Sequence, residues 1–344
     1  MRITTKLAAI VLIVLSALTG CATEGSQQNV AKPTIRIGYQ AFPTGDLVVK
    51  NNRWLEEALP DYTIEWTKFD SGAAVNRAFI AKQLDFGTIG SSPVARGLSA
   101  PLNIPYSVAF ILDVAGDNEA LVARSETGIG SIAGLKGRRV ATPFASTAHY
   151  SLLTALEQNG LSANDVQLID LQPQAIVAAW ESGHIDAAYT WLPTLEKLEK
   201  TGTVLISSRQ LAEKGKPTLD LVAVSNSFAK GHPGVLDIWR RQQVRALRQI
   251  TDDPAAAATA ISGEMALSPA DAERQLGKAV YLTPEQMASS TWLGSSDGRP
   301  GDLAANLESA SNFLAEQTQI PAPAPLAVFQ KAIYTKGLPE ALVG

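Results

Sequence analysis

Three short stretches put small hydroxyl residues where an apolar run hands over to a helix-forming one: Asp70-Ser71-Gly72, Gly90-Ser91-Ser92 and Ala145-Ser146-Thr147. The commonest use of such a hydroxyl is to cap the helix by accepting from a backbone N–H. It can also join the free N–H groups at the helix's positive end in holding an anion. Repetition favours the second use, because in open α/β sheets such junctions gather at the strands' carboxyl ends, where ligands bind. Asp70 reads equally as a helix cap or as a direct contact. A complementary charge stands in Thr218-Leu219-Asp220, beside an apolar run, and Tyr150, Trp180, Tyr189 and Trp191 supply aromatic faces. Trp180 reads as core. Trp191 follows a strand and precedes Pro193, which suits a ligand wall. A carboxylate beside aromatic faces matches an ammonium group by charge and by cation–π attraction. Anion donors at one end and a carboxylate at the other describe a site for a small zwitterion.

Catalytic alternatives find less support. Ser146, His149 and Asp186 nominally make a nucleophile, base and orienting acid, yet no GxSxG elbow surrounds Ser146 and His149 follows only three residues later. His184 and Asp186 lack further metal ligands. Gly128, Gly130, Gly134 and Gly137 precede the strand Arg139–Thr142, whereas a dinucleotide fingerprint must follow one, and no phosphate-binding GxxxxGK[ST] loop is present. The expectation is a binding protein, not an enzyme, with no metal or cofactor.

Alternation of strands and helices is what must position these residues. Thr34–Tyr39, Thr63–Phe69, Phe86–Ile89 and Tyr106–Leu112 read as strands, with helices over Leu47–Leu59, Ala73–Lys82 and after Pro93. A second α/β unit runs through Glu119–Ala123, Arg139–Thr142, the helix Tyr150–Gln158, Val166–Leu171, Ile176–Ser182, Ile185–Tyr189, Val204–Ile206 and Leu221–Val224. From Pro233 the chain is mainly helical, with proline near several helix starts. The pattern predicts an α/β protein with parallel sheets.

With 344 residues the chain can build two medium lobes. A net charge of −4 argues against nucleic acid, which wants a concentrated basic face. Cys21 is the one cysteine, so disulfides within the chain are excluded. It follows Arg2, Lys6, the apolar run Leu7–Leu18 and Thr19-Gly20, the plan of a secretory signal. Leu18-Thr19-Gly20-Cys21 also resembles a bacterial lipobox, which predicts lipidation at Cys21 after removal of the signal. Residues 1–21 are then the lipoprotein signal and 22–33 a flexible tether. The protein is expected in the periplasm or at the cell surface, touching the membrane through a lipid anchor only.

Longer motifs carry a family resemblance. Phe69-Asp70-Ser71-Gly72-Ala73, Gly90-Ser91-Ser92-Pro93, Asn118-Glu119-Ala120-Leu121-Val122, Pro143–Leu153, Ala178-Ala179-Trp180, Pro217-Thr218-Leu219-Asp220 and Tyr281-Leu282-Thr283-Pro284 resemble the taurine branch of the nitrate/sulfonate/taurine class of periplasmic solute-binding proteins. The resemblance runs from about Ile35 to Phe313. It implies a type II periplasmic-binding-protein fold, a two-lobed Venus flytrap. Lobe 1 would comprise 34–115 and 226–344, and lobe 2 would comprise 116–225. It also implies taurine (2-aminoethanesulfonate) held in the cleft by a monomer and delivered to an ABC permease with its ATPase subunits. By resemblance, Asp220 and Glu119 face the ammonium. Gln40, Ser91, Ser92, Ser146, Thr147 and His149 stand near the sulfonate, and Trp191 and Tyr150 form walls. Two features depart from the simply secreted taurine-binding members: the lipobox, and the segment Ala41–Asp46 after Gln40. Another alkanesulfonate or a small nitrogen-containing anion is the alternative ligand, and an enzyme on the same fold is the alternative class.

Overall fold

A computed structural model describes residues 32–295, 298–338 and 342. Cys21, the signal and nearly all of the tether lie outside the described residues. The strands are β1 (Thr34–Tyr39), β2 (Thr63–Lys68), β3 (Phe86–Gly90), β4 (Tyr106–Val114), β5 (Glu119–Arg124), β6 (Arg139–Thr142), β7 (Gln167–Asp170), β8 (Ala187–Trp191), β9 (Gly202–Ser207) and β10 (Leu219–Ser225). They form two five-stranded sheets, ordered β2-β1-β3-β10-β4 and β7-β6-β8-β5-β9.

Neither sheet is wholly parallel, contrary to the alternation rule. β1 runs parallel to β2 and β3, but β10 is antiparallel to β3 and β4. Likewise β6 runs parallel to β7 and β8, while β5 is antiparallel to β8 and β9. The exceptions have one cause. β5 enters the second sheet straight from β4 of the first, and β10 returns to the first sheet after β9 and the helix Ser208–Glu213. Each is the strand on which the chain changes sheet. Neither closes the strand–helix–strand crossover that enforces parallel pairing. β10 therefore belongs to the first sheet, although it falls inside the range 116–225 expected for lobe 2.

Reversal has a consequence for function. The first residues of β5 and β10 come to lie at the edge where the parallel strands end. Asp220 sits opposite Gly90 at the end of β3, and Glu119 opposite Trp191 at the end of β8. Two carboxylates are thereby delivered to the sheets' carboxyl edges, at positions where a parallel strand would place its far end.

Helices cover these sheets for ordinary reasons. Trp239, from the helix Pro233–Asp252, stacks on Phe86 at 5.0 Å between ring centroids and meets Phe110 edge-on at 5.8 Å. Thr147–Gln158 is a helix whose residues Thr147 to Leu156 are all buried. One side packs with Leu121, Val140 and Tyr189 of the second sheet's core. The other side carries Tyr150 and Leu153 into the first sheet's core. Arg274 and Gln275, on the helix Pro269–Leu276, bond Glu196 of the helix Thr194–Glu199, and Lys278 pairs with Glu199 at 2.9 Å. Such exposed pairs contribute about 1 kcal/mol or less each.

One expected helix is broken. In place of a continuous Leu47–Leu59 there are two, Gly45–Asn51 and Trp54–Ala58, separated where Arg53 takes a left-handed φ of 57°.

Candidate functional site

The two sheets present their carboxyl edges to one small cavity. From the first sheet and its connections come Gln40, Phe42, Pro43, Gly72, Gly90, Pro93 and Asp220; from the second come Asn118, Glu119, Ser146, Thr147, Trp191 and Leu192. A wider groove shares Gln40, Trp191 and Leu192 with it and opens outward past Lys68, Phe69 and Lys197.

Helix starts make one kind of wall. Gly72 opens the helix Gly72–Ile80 and Gly90 precedes the helix Ser91–Leu98, and neither helix has a side-chain cap. Their first N–H groups are therefore left for another acceptor. Both glycines are required by close approach. A Cβ on Gly72 would come within 2.6 Å of Pro93 Cγ, and one on Gly90 within 2.6 Å of Thr147 Cγ2, across the cavity. The third start is capped: Ser146 Oγ accepts from His149 N at 3.1 Å and donates to the Pro143 carbonyl at 2.6 Å. Ser146 lines the cavity with its hydroxyl already engaged, and Thr147 donates to Glu119 at 2.5 Å.

Carboxyl groups make the other wall. Glu119 is buried and gathers four hydroxyls: Thr147, Ser208 at 2.7 Å, Thr218 at 3.4 Å and Ser151 at 3.4 Å. Burial raises its pKa and these donors oppose the rise. Asp220 has no such help. Burial, and then the charge of Glu119, push its carboxyl up to about 7. An unsatisfied carboxylate in a narrow cleft favours a cation that can donate hydrogen bonds to it. Gln40, between the two kinds of wall, is fixed by donating its Nε2 to the Thr88 carbonyl at 3.0 Å.

Four of the residues that the resemblance assigns to the ligand, and Asp70 besides, do not line the cavity. Ser91 Oγ accepts from Leu219 N at 3.1 Å, tying the helix start to β10, and Ser92 Oγ is buried without a partner. His149 Nδ1 accepts from Ala145 N at 3.2 Å while its ring stacks on Phe144 at 4.5 Å. Burial pushes the imidazole down to about 4, so it is neutral near pH 7. Tyr150, expected as a wall, is a core residue packed edge-on against Phe313 at 4.9 Å. Asp70 is exposed and accepts from Gln174 at 3.5 Å; it does not cap its helix, whose N-cap position is Ser71.

Ser146, His149 and Asp186 are each engaged elsewhere. Ser146 and His149 are turned to backbone groups, and Asp186 is held by Arg139 through a 2.7 Å ion pair and a 2.9 Å bond from its backbone N–H. Sequence reasoning passed over Phe42, Pro43, Gly72, Gly90, Pro93, Asn118 and Leu192 as site residues. Gly72, Gly90, Pro93 and Asn118 stand inside the motifs quoted above, without a ligand role there. Phe42 and Pro43 lie in the departing segment Ala41–Asp46, which carries no shared motif.

Comparison with known proteins places this geometry. The model of the substrate-binding domain of ABC-type glycine betaine transport systems matches residues 33–261. The chain is 35% identical over 320 residues to the taurine-binding periplasmic protein of Escherichia coli K12, covering 90% of this chain and 93% of that protein. Among solved structures, the alkanesulfonate-binding protein SsuA of Xanthomonas axonopodis pv. citri, bound to MOPS, superposes with a TM-score of 0.72 at 22% identity, over 87% of this chain and 98% of that one. The periplasmic aliphatic sulphonate binding protein SsuA of Escherichia coli gives 0.69 at 20% identity, over 88% and 92%. The chain shares its fold with these neighbours, and it belongs to the family of periplasmic substrate-binding proteins of ABC importers.

Proposed function

We propose that this protein captures taurine in the cavity between its two sheets and delivers it, unchanged, to an ABC permease driven by ATPase subunits. The observation that carries the reading is the meeting, in one cavity, of uncapped helix starts at Gly72 and Gly90 with the carboxyl of Asp220, which has no hydroxyl donor. A sulfonate stays anionic throughout the physiological range, and its three oxygens can take several N–H donors in a site where each bond is stronger than in water. The ammonium two carbons away then meets Asp220, which avoids burying an unpaired charge. Glycine betaine fits this pairing less well, because its quaternary nitrogen has no N–H to give Asp220. The relatives whose names specify a sulfonate point the same way.

Calorimetry with taurine, ethanesulfonate, β-alanine and glycine betaine tests the reading. Taurine should bind tightest, and tighter binding of glycine betaine or β-alanine would overturn it.

Ligand joining residues of both sheets favours the arrangement in which the cleft is shut. The radius of gyration from small-angle scattering should therefore fall on saturation with taurine. An unchanged radius would count against a closing cleft.

Cys21 is proposed as the lipid-bearing residue of a tethered monomer. Two acyl chains give stable attachment where a single chain is marginal. Cys21→Ser should release the protein from the membrane fraction or stall its processing. Wild-type protein recovered fully soluble, with its mature N-terminus elsewhere, would refute the anchor.

A further inference from the structure

Behind the cleft wall lies a carboxyl group that the proposed binding does not use. Asp113, on β4, is fully buried and stands directly opposite Asp220 in the antiparallel pairing with β10. Opposed residues in such a pair have Cβ atoms about 5 Å apart. Neither carboxyl oxygen of Asp113 has a hydrogen-bond partner, and nor has the hydroxyl of Tyr281, whose neighbour Val280 bridges to Val114. The groups that act on Asp113 are Asp220 from β10 and Glu119 from β5, and the charges of both aspartates act on the phenol of Tyr281. Among the described residues no cation acts on either aspartate. Glu119 has its four hydroxyls, whereas Asp113 and Asp220 receive no such donor among the described residues. A fully buried carboxyl beside a second carboxyl, neither with a donor, disfavours ionisation of both.

We propose that Asp113 and Asp220 hold one proton between them in the unliganded cleft, and that an ammonium group arriving beside Asp220 expels it to solvent. Asp113 touches no ligand; it is a positioning residue that makes the site demand a cationic amine. The inference rests on the reading that the cleft takes an aminosulfonate. It has opposite consequences for two ligands. Taurine binding strengthens as pH rises through the neutral range, because the proton to be expelled is already leaving. Ethanesulfonate binding weakens over the same range, because it then faces an uncompensated charge.

Two measurements test it. Infrared difference spectra of the ligand-free protein should show a protonated-carboxyl band that titrates near neutral pH and moves to lower pH in Asp113→Asn. Calorimetry of taurine binding at pH 6.5, in buffers of different ionisation enthalpy, should show release of about half to one proton by the wild type. Asp113→Asn should still bind taurine but release fewer protons than the wild type. Wild-type heats that do not depend on the buffer would overturn the proposal, as would a variant that releases as many protons. Both wild-type arms stand if the variant fails to fold. Failure of taurine to bind at all would instead remove the proposed function. The carboxyl band would then still decide whether the proton is shared, and its absence would overturn that sharing.

Discussion

Replacing Asp220 by Asn is expected to weaken taurine binding by about 30-fold to several thousand-fold, the loss of about 2–5 kcal/mol that follows removal of one partner from a desolvated charge pair. Asn keeps the shape and some hydrogen bonding, so the effect isolates charge. Asp220 is suited to this test because it faces the cavity while no hydroxyl offsets its burial, unlike Glu119. Ethanesulfonate carries the same sulfonate without the ammonium, and its affinity should hold or improve in the variant. Calorimetry with both ligands separates this outcome from general damage, which would harm both equally. Equal loss of the two, or unchanged taurine binding, would remove the ammonium from Asp220.

Gly90→Ala should reduce taurine affinity by about 5- to 150-fold, the equivalent of roughly 1–3 kcal/mol of overpacking. The new methyl carbon would stand 2.6 Å from Thr147 Cγ2, which belongs to the other sheet's helix. Thr147 cannot simply turn aside, because its hydroxyl donates to Glu119 at 2.5 Å. The clash exists only where the two edges meet, so the ligand-free protein should melt close to the wild-type temperature if its cleft opens. Thr147→Ser removes the offending methyl and keeps the hydroxyl. In the Gly90→Ala background it should restore most of the affinity, a coupling that a double-mutant cycle measures. An Ala variant that binds taurine like the wild type would show that the cleft does not close on Gly90.

Much of this arrangement can be read from the sequence, and the failures have identifiable causes. Strand positions come through because alternation and apolar runs are local properties: β1 is found at Thr34–Tyr39 and β6 at Arg139–Thr142, both at their expected bounds. Strand direction does not come through, since nothing in Glu119–Arg124 or Leu219–Ser225 records that the chain has just changed sheet. That change is what carries Glu119 and Asp220 to the cleft edge. Hydroxyl-rich junctions mark the right edges, but the residue type alone cannot say whether an Oγ faces a ligand or its own helix. Ser146 caps and Ser91 ties down β10. His149 and Tyr150 follow the same helix start, yet their side chains turn into the turn and the core. The glycines at 72 and 90 are the opposite case: having no side chain, they let two helix starts approach the cavity, and a search for functional groups passes over them.

A crystal structure of the taurine complex tests the central claim most directly. The account predicts the ammonium within hydrogen-bond distance of Asp220 and the sulfonate oxygens against the helix starts at Gly72 and Gly90. A taurine bound in the reverse sense, with its sulfonate on the carboxyl wall, or seated only in the outer groove past Lys68 and Lys197, would contradict it.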